Sequence, residues 1–395
     1  MHNISSASYI SSSPAFTDPM QTPLRKSFSF LILVIMILSG CVSPQNASHE
    51  TPSAKTDDIQ PHMVTADEPS IILPPAAPPP VAKSADAIPV IFSHDGAPDD
   101  IATMVYLTNH PNVDLIAVIQ SYGEQRPTRS LDEWQRFTYD VLEYNSVPIG
   151  VGAVRPLDPA DNQFPETWRA GADDFWGVPL PVASSDHDHY DGVDLIIHLL
   201  AAAPEPVTLL ITGAHTDLAL ALQQQPAIAE NIAQVVVMGG AFNVPGNLGE
   251  ASGHADNTVA EWNIFVDPLA AKQVFNTGIP ITVVSLDGSD DLRISQADLE
   301  RLSDSNAVGV DVLRALWERS LRWSGGAFKI WDIVAAVALT NPEHFTWEYD
   351  ALDVIAEPGP THGQTIALGF GSETARYSYA ADYSAVRNAI FEIFE

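Results

Sequence analysis

At 395 residues the chain can bury a large core, and its 46% hydrophobic content is ordinary for a globular protein. Its 50 acidic residues against 18 basic ones give a formal net charge of −32. That balance excludes nucleic acid as a partner, because phosphate binding needs Lys and Arg, and it suits a soluble, self-repelling surface.

The apolar run 28–38 follows Arg25 and Lys26 and ends in Leu38-Ser39-Gly40-Cys41. It is short for a membrane span and fits the core of a signal peptide. Its end resembles a bacterial lipoprotein lipobox, in which Cys41 would be lipidated and become the mature N-terminus. Cys41 is the only cysteine, so no intrachain disulfide is available. Translation from Met20 would give a more conventional signal than translation from Met1. The resemblance implies a lipid anchor in the bacterial cell envelope, and Val42 after the cysteine weakly favours the outer membrane. Residues 42–87 are rich in Pro, Ala, Ser and Asp, lack periodicity, and read as a disordered, semi-extended tether. The expected organisation is therefore a signal peptide over 1–41, a tether over 42–87 and a folded domain over 88–395.

From Ile88 the pattern alternates strand and helix. Strands are expected at 88–92, 115–119, 147–151, 207–211, 235–238 and 281–285. Helices are expected at 128–144, 191–202, near 215–224 and near 267–276. The strands are near-continuous apolar runs, as expected when helices cover both sheet faces. This predicts an α/β fold, one large domain with a mostly parallel, Rossmann-like open sheet. Segment 152–190 is rich in Asp, Pro and Trp and reads as a functional loop region.

The densest chemistry is Ser93-His94-Asp95-Gly96-Ala97-Pro98-Asp99-Asp100. It lies between the first apolar strand and an apolar-periodic helix, so its acids fall at the carboxyl edge of the sheet, where ligands bind in such folds. Gly96 and Pro98 suit a sharp turn. The helix dipole accommodates one acid comfortably. Three packed acids repel one another unless a cation or shared protons intervene, and hard divalent cations take carboxylate oxygens. A helix cap with solvated acids is the competing reading.

Further unusual residues follow other strands: Thr212-Gly213-Ala214-His215, Met238-Gly239-Gly240 with Gly246-Asn247, Glu261-Trp262-Asn263, and Ile330-Trp331-Asp332 at the start of an apolar helix. Together with Asp95-x-x-x-Asp99-Asp100, this ordered set resembles the nucleoside hydrolase family (inosine-uridine preferring hydrolases). His94, the run Phe164-Pro165-Glu166-Thr167-Trp168-Arg169, and Trp331 before Asp332 resemble its purine-specific branch.

That resemblance implies hydrolysis of the N-glycosidic bond of purine ribonucleosides, with one bound Ca2+. It implies Asp95, Asp100, the Thr212 carbonyl and Asp332 as metal ligands, the shell being completed by the ribose 2′- and 3′-hydroxyls and a water. Asp95 would be general base on that water. Asp99 and Asn263, counted with Asp95 in the catalytic set, would hold ribose hydroxyls, and Glu261 and Asn247 the 5′-hydroxyl side of the ribose. Trp168 and Trp331 would sandwich the base. Met238-Gly239-Gly240 is read chiefly as a strand-end turn, with Met238 included in the substrate-binding set. Glu124 stands where the family often has Asn, and could contact the sugar or the metal shell. Dimers and tetramers are common in the family.

The chemistry fits these residue types independently. Cleavage passes through an oxocarbenium-like sugar that nearby carboxylates stabilise, and stacked indoles bury the faces of a base. No side chain is an obvious general acid. His187, Asp188 and His189 read as a solvated loop rather than a second metal site, and His215 receives no role. Ser93 replaces an acid usual in the first motif, and Gly96-Ala97 replaces Pro-Gly. Two other readings stay open: a hydrolase of another N-ribosyl substrate, and a nucleoside- or sugar-binding lipoprotein whose catalysis has decayed. The complete acid set favours an enzyme, because a binder need not keep a water-activating carboxylate.

Overall fold

β1 (Ile88–His94) lies in the interior of a nine-stranded sheet in the computed structural model, which describes residues 71, 73, 78–184, 187–249 and 252–395. The strands that follow are β2 (Val113–Gln120), β3 (Ile149–Val151), β4 (Tyr190–Asp191), β5 (Val207–Thr212), β6 (Ile232–Met238), β7 (Ile281–Val284), β8 (Arg293–Ile294) and β9 (Phe328–Lys329). The last four are β10 (Phe345–Tyr349), β11 (Leu352–Val354), β12 (Thr365–Ala367) and β13 (Ala375–Ala381). The large sheet runs β10-β13-β7-β6-β5-β1-β2-β3-β4, while β8 pairs with β9 and β11 with β12. Every pairing in the large sheet is parallel except that of β10 with β13.

The apolar strands explain this layering. Alternate residues point to opposite faces, so Val90, Phe92, Leu210, Val236 and Val284 feed one core, and Ile91, Leu209, Ile211, Val235 and Val237 feed the other. The first core is closed by α1 (Pro98–Asn109), α10 (Val310–Trp323), α11 (Trp331–Thr340) and α12 (Tyr383–Phe394). The second is closed by α4 (Gly192–Ala202), α5 (Thr216–Gln224) and α7 (Pro268–Phe275). Shorter helices are α2 (Pro127–Gln135), α3 (Glu166–Asp173), α6 (Trp262–Phe265), α8 (Leu286–Ser289) and α9 (Gln296–Arg301). The mostly parallel α/β sheet expected from the sequence is present.

This topology places the chemistry. β1 lies between β5 and β2, so the connections leave it in both directions and a crevice opens at the carboxyl edge. His94 is level with Thr212 there, and Ile211 with Val237. The residues just beyond these strands therefore converge.

Three expectations need adjustment. The helix expected over 128–144 is α2 followed by a wider π-helical turn over Arg136–Val141; that turn sets Phe137 beside Trp134 and Phe175. The 152–190 loop contains α3, which the short Pro-bounded segment did not signal as periodic. The end of the expected tether is attached to the domain: Lys83 Nζ donates to the Thr108 carbonyl at 2.8 Å, and the Ser84 N–H to the Pro111 carbonyl at 2.8 Å. The signal segment, Cys41 and most of the tether lie outside the described residues. Among the described residues no helix is long and apolar enough to cross a membrane.

Candidate active site

The loop after β1 is built around Asp100. Its Oδ2 accepts the backbone N–H groups of Asp95, Gly96 and Ala97 at 3.2, 2.8 and 2.9 Å. Its Oδ1 accepts the Thr212 hydroxyl at 2.5 Å. One carboxylate thus folds the loop, caps α1 and ties both to the end of β5. Pro98 opens α1 and Asp99 follows, its Oδ2 accepting the Asp332 N–H at 3.0 Å. That bond joins the first turns of α1 and α11.

Asp95 Oδ2 accepts the Glu124 N–H at 2.9 Å. The chain packs so closely here that a Cβ on Gly123 would lie 2.2 Å from Asp95 Oδ2, and one on Gly213 2.7 Å from Asp95 Cβ. Both positions need glycine for close approach.

Glu261 caps α6 and is held from several sides. Its Oε1 accepts the Asn263 N–H at 3.0 Å; its Oε2 accepts those of Ile264 and Gly240 at 3.2 and 3.1 Å. Asn263 Nδ2 donates to the Met238 carbonyl at 3.2 Å, and Asn247 Oδ1 accepts the Trp262 N–H at 3.0 Å.

Above this polar floor the cavity, about 480 Å³, is aromatic. Phe164 stacks on Trp262 with centroids 4.3 Å apart, and Trp168 stands 6.0 Å from Trp262. Trp331, Trp323, Phe328 and Trp176 complete the lining. Trp176 has φ 55°, unusual for a bulky residue. Its indole N–H donates to the Gly96 carbonyl at 2.8 Å, so it braces the acid loop. An apolar cavity with a few convergent polar groups is the expected form of a small-molecule site.

The cavity brings together Asp95, Asp99, Glu124, Trp168, Thr212, Met238, Asn247, Glu261, Asn263, Trp331 and Asp332. Asp100 is fully buried behind that wall. His94, part of the first motif, points away into the core, against Trp134 at 3.9 Å, where burial lowers its pKa to about 3. His187 packs 4.1 Å from Tyr139, and His215 is buried beside Phe275.

Sequence reasoning missed Trp176, Trp323 and Phe328. The pair Phe175-Trp176 before Gly177 was the available signal: large aromatics in a polar segment, next to a turn residue.

Electrostatically the floor is under strain. Burial raises Asp95 to about 7, with Asp99 and Glu261 adding repulsion, and raises Asp99 to about 6. Asp100, Glu124 and Asp332 are pushed well above the carboxylate range, by burial first and then by the neighbouring acids. Burial also raises Glu261 to about 7. Among the described residues no ion pair involves any of these acids.

Among the described residues no group of three or more His, Cys, Asp or Glu side chains is arranged as a ready metal site. By its chemistry the donor set still suits a hard divalent cation: buried carboxylates beside a strand-end threonine, without an ion-pair partner among the described residues.

The comparisons with known proteins agree with this geometry. The family model "inosine-uridine preferring nucleoside hydrolase" matches residues 90–388. A Citrobacter koseri relative, named pyrimidine-specific ribonucleoside hydrolase RihA, is 32% identical over 290 residues, covering 71% of this chain and 88% of the relative. A purine-preferring ribonucleoside hydrolase from Gardnerella vaginalis superposes with TM-score 0.66 at 22% identity, covering 77% of this chain and 97% of that one. The inosine-uridine preferring nucleoside hydrolase from Bacillus anthracis gives 0.63 at 25% identity, with coverages of 78% and 98%. Matched along most of its folded length, the chain belongs to the inosine-uridine preferring nucleoside hydrolase family and is an N-glycosyl hydrolase that acts on nucleosides.

Proposed function

We propose that the chain hydrolyses purine ribonucleosides to free base and ribose, with Ca2+ as cofactor, and that a lipid on Cys41 anchors it in the bacterial cell envelope for nucleoside salvage. The observation that supports this reading most is a floor of buried acids beneath a cavity lined by indoles.

Asp95, Asp100, Asp332 and Thr212 would hold the cation. When bound, the cation compensates the carboxylate charge and orients sugar hydroxyls by oxygen coordination. The remaining work falls to side chains. Asp95, at the end of β1 and bordering the cavity, would take the proton from the attacking water as general base. The water oxygen then bonds to C1′ as the C1′–N bond breaks; the base leaves with the electron pair and takes a proton from solvent, and Asp95 returns its proton to solvent. Asp99 and Asn263 hold ribose hydroxyls, while Glu261 and Asn247 hold the 5′ side. Their fixed dipoles and charges stabilise the oxocarbenium-like sugar. Trp168 and Trp331 stack on the base and exclude water from it.

A second reading, pyrimidine specificity, is favoured by the name of the Citrobacter koseri relative. Rates of base release from inosine, guanosine, adenosine, uridine and cytidine decide between the two. Faster release from the purine nucleosides supports the proposal; faster release from uridine and cytidine overturns its base assignment.

The acids also predict a pH dependence. Asp95, Asp99 and Glu261 have folded pKa values of about 7, 6 and 7, against about 4 when unfolded. The metal-free folded state therefore binds more protons than the unfolded state in between, so its stability falls as pH rises from about 4 through about 7. Calcium would replace the proton on Asp95, the one of these three that would ligate it, and would lower the pKa of Asp99 beside it. Melting temperatures measured against pH should fall across this window without calcium and fall less steeply with it; identical profiles would contradict a metal at Asp95.

A further inference from the structure

Trp331 and Asn247 separate two cavities: both residues border the catalytic cavity and a second one of about 520 Å³, whereas Asp290 and Lys329 border only the second. Behind this wall the Trp331 indole N–H donates to Asp290 Oδ1 at 3.0 Å. The Lys329 ammonium donates to the same oxygen and stands 5.3 Å from the indole centroid. The three side chains close a ring.

The backbone fixes their register independently. Asp290 ends α8, donating its N–H to the Leu286 carbonyl at 3.1 Å. The β8–β9 pair sets Arg293 opposite Lys329 and Ile294 opposite Phe328. Trp331 itself is only half-buried. An indole on a cavity wall has two side-chain torsions free to turn. A hydrogen bond to a charged acceptor and a cation over the ring restrict both. Lys329 borders only the second cavity, whereas Trp331 also borders the catalytic one.

We propose that Asp290 is a positioning residue which, with Lys329, locks the Trp331 indole as a fixed stacking wall for the nucleobase. This rests on the reading of Trp331 as a base wall. The wall serves ground state and transition state alike, so its loosening raises KM more than it lowers kcat.

The test uses the full chain with calcium and inosine. Asp290→Ala is expected to raise KM about tenfold while kcat stays within about threefold. Asp290→Asn keeps an acceptor and should hold KM within about threefold of the parent. Trp331→Phe keeps a ring without the donor and should raise KM as Asp290→Ala does, the double variant adding little more. If Trp331→Ala raises KM but Asp290→Ala and Trp331→Phe do not, the positioning role is overturned and the base wall stands. If Trp331→Ala leaves KM unchanged, the base wall fails and the proposal with it. A fall in kcat and melting temperature that Asp290→Asn does not rescue would mark a purely structural role and overturn the proposal. Should Asp290→Ala not fold, Trp331→Phe and Asp290→Asn decide: a raised KM in the first and a near-parent KM in the second support the lock, and any other pattern overturns it.

Discussion

Asp95→Asn is expected to lower kcat for nucleoside hydrolysis by about 10²- to 10⁴-fold, the range over which a positioned general base contributes. The substitution is close to isosteric. Its amide oxygen can still accept the Glu124 N–H that Asp95 Oδ2 accepts at 2.9 Å, so Gly123 and Gly213 need not move. It removes one charge from a buried cluster in which burial, Asp99 and Glu261 all work against ionisation. The metal-free variant should therefore melt no lower than the parent. Steady-state rates at saturating inosine and calcium check the first claim, and thermal melts check the second. A variant as fast as the parent would remove Asp95 from the role of base.

Asp100 separates loop building from charge. Asp100→Ala strips the acceptor from three backbone N–H groups and the Thr212 hydroxyl. Buried donors without partners cost about 1–3 kcal/mol each, so this variant should lose several kcal/mol of stability and its activity. Asp100→Asn keeps an oxygen for the loop amides, and its NH2 can donate to the Thr212 hydroxyl in place of the bond it loses. It should fold with near-parent stability yet bind calcium at least about 100-fold more weakly, since a carboxylate ligand has become neutral. Calcium titration by calorimetry and a denaturant melt read the two effects apart. Equal calcium affinity in Asp100→Asn and the parent would remove Asp100 from the metal site.

The floor of the site was legible because parallel strands concentrate their carboxyl ends. Asp95, Thr212 and Met238 follow or close apolar runs that could only be buried strands, so their convergence followed from the α/β alternation. Asp332, at the head of an apolar helix, and Glu261, in Glu-Trp-Asn beyond β6, stood out by their place in the chain, but only the family resemblance gave them roles. The aromatic half was read less completely. Trp168 and Trp331 were named, but Trp176 enters the cavity through left-handed backbone at Phe175-Trp176, and periodicity carries no signal for such a turn. Trp323 reaches the cavity because α10 ends there, edge-on to Trp176 at 5.2 Å, a tertiary accident of helix length. His94 illustrates the opposite case: it sits inside the acid motif, yet strand alternation sends its ring into the core beside Trp134. Asp290 lies in a short helical turn whose partner is 41 residues away in sequence, and no local pattern connects the two.

The most direct test of the account is base release from inosine by the protein before chelation, after removal of divalent ions, and after calcium is added back. The account predicts release that chelation abolishes and calcium restores, with Asp95→Asn about 10²- to 10⁴-fold slower than the parent even with calcium. Full activity in the chelated protein would contradict it.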